Sequence, residues 1–372
     1  MEFKNLKKLI APTSFADFLK VHWGQSPLHS TGGGQARFDS YVTKEDFDEG
    51  IGYSMTRDNV QLLRDGFLAE PCEESKSLSL SGIYREYAAG TPILMTKMQL
   101  RHEPVGVLAN ALAQETGFLV EADLLAFPPG FSADRSVHPH HETLCLCLEG
   151  AVDFGLCSTS GERHPYPLRS GDALYWPKAW HGETQKVGNE GAFCLVVHIH
   201  AKSKRDLVVQ ALGLLAEKDV DFRRELPFGM PLSPGSPGQI SGHLNKVLLP
   251  KLEALDWEAA RAKLSLQTKR AMPPLPDGHF AQLNQIQAIH GDTLLERRPG
   301  MAGEMHFVGD QVVFEFPGAY QTGPEKMFLA MDFFQTSGRF KVKDIPGWYS
   351  EEEKVICARQ MVRKGYLRIH QP

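Results

Sequence analysis

The spacing of apolar residues changes twice along this chain. Up to residue 117 it mixes short helices and strands. Ser14 is placed to cap a helix running through Trp23, with Phe15, Phe18 and Leu19 on one face. Thr43 caps another before Asp46, and a third runs from Pro104 to Glu115. Proline suits a first helical turn, and Gly117 supplies the left-handed residue that stops the helix. From Phe118 to Ala201 the spacing shortens. FLVEADLLAF, TLCLCLEG, AVDFGLCS, DALYWP and AFCLVVHIHA are short, apolar and β-branched or aromatic, and Gly, Pro or Ser separates them. This pattern predicts short strands of an antiparallel barrel or sandwich.

From Lys204 the pattern is helical again, with Leu207, Val208, Ala211, Leu212 and Leu215 on one face. PFGMPLSPGSPGQISG is rich in Pro and Gly and nearly uncharged, and so reads as a linker. A helical segment is expected from Val247 to Leu264, then a Pro-rich break from Met272 to Gly278. Strands such as QVVFEFPG follow, then helices over Glu325–Thr336 and Ser350–Lys364 and a last strand, YLRIH. Ser350 followed by acidic residues is a strong helix start. Helix, turn, helix and short strand together resemble a small winged-helix module.

Composition narrows the function classes. The 372 residues are 42% hydrophobic and 23% charged, values that fit two or three globular domains. A net charge of −5 without long runs of one sign argues against a broad grip on nucleic acid. No apolar run reaches membrane-spanning length, and MEFKNLKKLIAPTSF lacks the apolar core of a secretory signal, so the expectation is a cytoplasmic protein. The six cysteines form no CxxC pair and read as buried free thiols. Histidine is more informative: seven of the fifteen lie at positions 138, 140, 141, 164, 181, 198 and 200.

Those histidines suggest a metal. If a strand begins near His138, alternation puts His138, His140 and Glu142 on one face and turns His141, Cys145 and Cys147 to the other. Three such ligands on one barrel strand suit mononuclear iron, manganese, nickel or zinc with positions left open for substrate. In SGDALYWPKAWHGET, Pro177 ends a strand and His181 follows; a closing barrel would bring it beside the first segment. Trp176, Trp180 and Phe127 are candidate walls. His198 and His200 share a strand face, and one of them can reach the cavity to contact cofactor or substrate.

These segments resemble the JmjC-type cupin oxygenases, specifically the bacterial ribosomal-oxygenase-like (cupin-4) group. FADFLKVHWGQSPLHS, RDNVQLLRDG, LANALAQETGFLVEADLLAFPPG, GDALYWPKAWH, KDVDFRRELPFG and DIPGWYSEEEKVICARQMVRKGYLRI follow the order of that group's motifs along most of the chain. The resemblance implies an α+β fold, a double-stranded β-helix (cupin or jelly-roll) barrel with flanking helices over residues 1–203. It also implies a helical linker and dimerisation region over 204–270 and a winged-helix-like domain over 271–372. It implies an Fe(II) enzyme that uses 2-oxoglutarate and dioxygen to hydroxylate a side chain. The substrate would be a peptide or protein, or else a natural-product precursor. A homodimer is expected, with no membrane or nucleic-acid partner and no catalytic residue beyond the metal ligands.

Carried over, the distal iron ligand falls on His181, with one residue fewer than usual between Pro177 and the histidine. Counted from Gly150, the family's His-x-Asp/Glu falls on Val137 and Pro139. A shift of one residue gives His138 and His140, and a larger one gives His140 and Glu142. The family's Lys or Arg for the far carboxylate of 2-oxoglutarate falls on Val152, which cannot pair with an anion. Arg135, Arg163 or Lys178 are the expected substitutes, with His198 as a further contact. Two other readings stand beside this one: a metal cupin that does not use 2-oxoglutarate, and a non-catalytic winged-helix scaffold with a vestigial barrel site.

Overall fold

The computed structural model describes residues 4–32, 34–53, 56, 59–64, 67–68, 79–133, 141–158, 160–225, 245–246, 249–275, 277–347 and 350–370. The chain forms two compact units, one of residues 1–200 with 270–372 and one of residues 201–269. Among the described residues no helix is long and apolar enough to cross a membrane.

A ten-stranded antiparallel sheet dominates the first unit. Its strands are β1 (Leu28–Ser30), β2 (Val60–Arg64), β3 (Phe67–Leu68), β4 (Ile93–Met95), β5 (Val120–Phe127), β6 (Ser132–Ala133), β7 (Glu142–Cys157), β8 (Arg163–Arg169), β9 (Ala173–Trp176) and β10 (His181–Ile199). The order is β1-β9-β7-β10-β5-β4-β2-β3, with β8 on β7 and β6 on β10. Two stretches expected as separate strands, TLCLCLEG and AVDFGLCS, are one continuous β7. Gly150 bends this strand rather than ending it. Its φ is +79°, and a Cβ there would lie 2.1 Å from the Gly191 carbonyl oxygen. The partner strand β10 has a register shift between Val187 and Ala192, opposite the bend.

The bend folds the sheet over on itself. Before it, Cys145 and Cys147 face one buried cluster; after it Val152, Phe154 and Leu156 face the same cluster, so the alternation has slipped by one residue. Phe154 meets Trp176 of β9 with ring centroids 5.9 Å apart, and Phe127 of β5 at 6.5 Å. These contacts close an apolar interior between a larger layer (β9, β7, β10, β5) and a smaller one (β8, the far halves of β7 and β10, β6). The outer face of the larger layer carries Leu144, Leu146, Leu195 and Val197. Against it pack Leu9, Ile10 and Phe18 from the N-terminal helices and Leu108 and Leu112 from the helix Glu103–Thr116. That helix ends at Gly117 in the left-handed conformation, as its sequence requires.

The rest of the first unit, from Arg270, has its own core. A three-stranded sheet (Arg339–Lys341, Leu294–Arg297, Leu367–Ile369 in spatial order) and a meander (Glu304–Val308, Gln311–Phe316, Ala319–Pro324) surround Phe314, Phe316, Phe334 and Tyr366. Ser350 and Glu353 form a capping box at the start of the helix Glu351–Arg363. Arg298 and Asp277 form a buried ion pair at 2.6 Å, and Arg298 also donates to the carbonyls of Leu275 and Gly365. In the second unit, the helix Lys204–Lys218 begins on a Ser203–Asp206 capping box. The helix expected over Val247–Leu264 is interrupted: helical backbone stops before Ala254 and resumes as Trp257–Ala271, where Asp256 accepts from the Ala259 N–H at 2.9 Å. The Pro- and Gly-rich linker lies outside the described residues.

Candidate functional site

The fold-over gives the barrel a closed end at Gly150 and Gly191 and an open mouth at the opposite ends of β7 and β10. The larger layer reaches the mouth at His141, Trp176 and His198. The smaller layer reaches it where β7 ends at Cys157 and β10 begins at His181, directly opposite each other. Residues 177–180 carry the chain from Trp176 on one layer to His181 on the other, and Trp180 is anchored there by its Nε1–H to the Gln25 carbonyl at 3.1 Å. His181 is half-buried. The histidine expected from GDALYWPKAWH thus stands at the rim of the barrel.

On the inner face of the larger layer, Trp176, Thr143, His198 and Glu121 lie in one cross-strand row: Thr143 pairs with both Trp176 and His198, and His198 with Glu121. Alternation makes the row face inward, because Cys145, Leu174, Val196 and Leu125 on the same strands belong to the interior cluster. Asp123, one step deeper, accepts from the Lys97 backbone N–H at 2.8 Å and sits 3.4 Å from His198 Nε2. Glu121 meets His200 Nε2 at 2.9 Å, and this hydrogen bond holds its carboxyl below the usual range against the opposing effect of burial. The His141 ring lies tilted against His200 with centroids 3.9 Å apart and 6.2 Å from His198. Each carboxylate fixes the outer nitrogen of its histidine, an arrangement that orients imidazoles in metal and anion sites.

Two polar atoms of this row are buried and have no hydrogen-bond partner among the described residues: Trp176 Nε1 and His198 Nδ1. Below the row, the described residues of the interior are apolar apart from Asp123 and three thiols. Cys145, Cys147 and Cys194 are fully buried. Hydrogen bonding to Cys194, then burial, pushes the Cys147 thiol up, and the Cys194 thiol is raised as well, which makes these two poor metal ligands.

Several expected residues have other places. Glu142 and the cysteines exchange faces relative to expectation. Cys145 and Cys147 line the interior, whereas the Glu142 carboxyl is buried on the helix-packed side. There it accepts from the Tyr175 hydroxyl, which itself accepts from the Gly24 backbone N–H at 2.8 Å. Burial raises its pKa despite the Tyr175 donor. A carboxyl so engaged is not available to a metal in the barrel, which corrects its assignment as a ligand. Register is the reason: the strand starts at Glu142, and the inward phase falls on Thr143. Lys178 is exposed and touches this outer site rather than the interior. Arg163 pairs with Cys157 on the small layer and is also exposed. His138, His140 and Arg135 lie outside the described residues; the flanks of that segment are Ala133, opposite Gln185, and His141, beside His200. Among the described residues no group of three or more His, Cys, Asp or Glu is arranged to hold a metal. Glu121, Asp123 and Thr143 were not singled out from sequence. Alternation in FLVEADLLAF puts both acids on one face and would have pointed to them.

The inward polar side chains lie at the mouth and not at the closed end, and the two orphaned nitrogens of Trp176 and His198 are unfilled polar contacts there. Val152, in contrast, is fully buried between Leu168 and Val187 in the apolar interior cluster.

No protein-family model and no curated protein sequence matches this chain. Solved structures do. The Escherichia coli ribosomal oxygenase YcfD, in complex with cobalt and 2-oxoglutarate, aligns over 97% of this chain and 99% of its own at 15% identity, with a TM-score of 0.55. The same enzyme with cobalt and succinic acid aligns over the same shares at 14% identity and a TM-score of 0.55. The chain therefore has the fold of that oxygenase from end to end.

Proposed function

We propose that this protein is a non-haem Fe(II) oxygenase of the JmjC-type cupin class that uses 2-oxoglutarate to hydroxylate a side chain of a peptide or protein. The observation that supports it most is the full-length likeness in fold to YcfD, which was solved with a metal and with both cosubstrate and coproduct. YcfD is a ribosomal oxygenase, so a ribosomal protein is the substrate to try first. His181, with His138 and His140, would hold the metal. Bound there, iron and 2-oxoglutarate supply the oxidising chemistry for a C–H bond. The chain's own part is positional. The apolar wall of Phe127, Phe154 and Trp176 excludes water, and Asp123 and Glu121 fix His198 and His200 at the rim.

The domain plan follows the same reading: a barrel over 1–203, a helical dimerisation region over 204–270 and a winged-helix-like module over 271–372, in a cytoplasmic homodimer. The sheet Arg339–Lys341, Leu294–Arg297, Leu367–Ile369 beside the helix Glu351–Arg363 supports the last module. Its helix opens on Glu351, Glu352 and Glu353, which disfavours a nucleic-acid partner. The test is succinate formation from 2-oxoglutarate by Fe(II)-loaded protein, with and without ribosomal proteins. His181→Ala is expected to lose the reaction; full turnover by that variant overturns the site. One observation favours a second reading, a metal enzyme that does not use 2-oxoglutarate: the apolar burial of Val152. Absence of 2-oxoglutarate binding to the metal-loaded protein would select it.

A further inference from the structure

Among the described residues, the side chains packed around Val152 at the closed end of the barrel are apolar. The interior cluster around Val152 consists of Phe154, Leu156, Leu168, Val187 and their apolar neighbours, and the Cys147 and Cys194 thiols within it are raised above their usual range. A carboxylate placed there would lose its hydration without a partner. Any cosubstrate with two carboxylates must therefore anchor the second one elsewhere on the inner face.

The row at the mouth has what the closed end lacks. Trp176 is 8% exposed, and its Nε1–H, which can only donate, meets no acceptor among the described residues. Its ring is fixed against Phe154. Two strands away on the same row, His198 Nδ1 is also buried without a partner, while its Nε2 faces Asp123. Thr143 stands between them, 1% exposed, its hydroxyl in a long 3.3 Å contact with the His141 carbonyl that leaves it able to turn. A buried unpaired donor is costly in a folded protein and commonly marks a place that a ligand fills. Donors from Trp176 and Thr143, with His198 beside them, match an acceptor with two oxygens.

We propose that Trp176 Nε1–H and Thr143 Oγ1–H, flanked by His198, receive the far carboxylate of the 2-oxo acid, in place of the cation missing at Val152. This rests on the oxygenase reading and specifies how that site selects its cosubstrate. A carboxylate held by neutral donors is held more weakly than one paired with arginine, but it is still told apart from a methyl group.

The test compares 2-oxoglutarate with 2-oxopentanoate, in which a methyl replaces the far carboxylate. Both are titrated into the full-length Mn(II)-loaded protein, read by calorimetry and by tryptophan fluorescence. Wild type is expected to prefer 2-oxoglutarate by roughly tenfold or more, the value of one hydrogen bond to a charged group. Trp176→Phe and Thr143→Val keep size and shape and remove one donor each. Each should lose most of that preference while binding 2-oxopentanoate as wild type does, which also shows that the variants fold. If wild type has the preference and both variants keep it, the anchor is elsewhere and the oxygenase reading stands. Equal binding of the two acids by wild type overturns the anchor. If wild type binds neither, the oxygenase reading fails, and the anchor with it.

Discussion

Replacing Val152 by arginine tests where this barrel can hold an anion. Val152 is 0% exposed, and its Cα neighbours across the sheet are Leu168 and Val187. Removing its side chain from the cluster forfeits about 1.5–3 kcal/mol of burial. The guanidinium then has no carboxylate within the cluster, and an unpaired buried charge costs about 3–5 kcal/mol more. Together these approach the whole margin of a typical domain, about 5–15 kcal/mol. Val152→Arg is therefore expected to fall sharply in urea midpoint and soluble yield, and saturating 2-oxoglutarate should not restore it. Val152→Ala, which adds no charge, should lose only the burial and cavity share. The contrary result is specific. A Val152→Arg protein with an unchanged midpoint, further stabilised by 2-oxoglutarate, would mean that the closed end admits the cosubstrate, and the reasoning from its apolar lining would be wrong.

Three further outcomes follow from the same contacts. Gly150→Ala places a Cβ at φ +79° and 2.1 Å from the Gly191 carbonyl oxygen, so the variant should lose more than about 2 kcal/mol in chemical denaturation. Unchanged stability would show that the bend does not depend on glycine. Asp277→Ala strands Arg298, which is only 2% exposed, and should cost about 3–5 kcal/mol by the same measurement, most of it from the orphaned charge. For Glu142, burial raises the folded-state pKa, so its contribution is fully present below the unfolded value and is lost as pH rises through the folded one. Urea midpoints of wild type should therefore fall, relative to Glu142→Gln, between acid and neutral pH; parallel curves would refute the assignment.

Local signals in the sequence carried well. Ser14 caps through the Asp17 N–H, Gly117 takes the left-handed conformation, and Ser350 with Glu353 forms the capping box. These depend on atoms within one turn. The strand phase of HPHHE did not carry. Starting the alternation at His138 placed Glu142 inside and the cysteines outside, and the structure has them reversed. The phase of a strand is set by what its two faces meet, and here the outer face is chosen by Phe18 and Tyr175, more than 30 residues away in sequence on either side. Likewise, nothing local in TLCLCLEGAVDFGLCS separates two strands from one bent strand. The distinction depends on Gly191, which approaches Gly150 only after the chain has gone around the barrel.

The bend also explains why the polar chemistry gathers at one end. At the closed end the two long strands approach so tightly that Gly150 and Gly191 leave no room for a side chain between them. Next to that contact the inward positions must be filled, and Val152, Leu168 and Val187 fill them without polar atoms that would need partners. Polar side chains can point inward only where water, a ligand or each other can satisfy them, at the far ends of the same strands. The inward row there is Trp176, Thr143, His198 and Glu121, and the hand-over through residues 177–180 sets His181 on the facing layer. A two-sheet fold closed by glycines at one end thus presents its imidazoles and carboxylates at the other, whatever the identity of the substrate that enters.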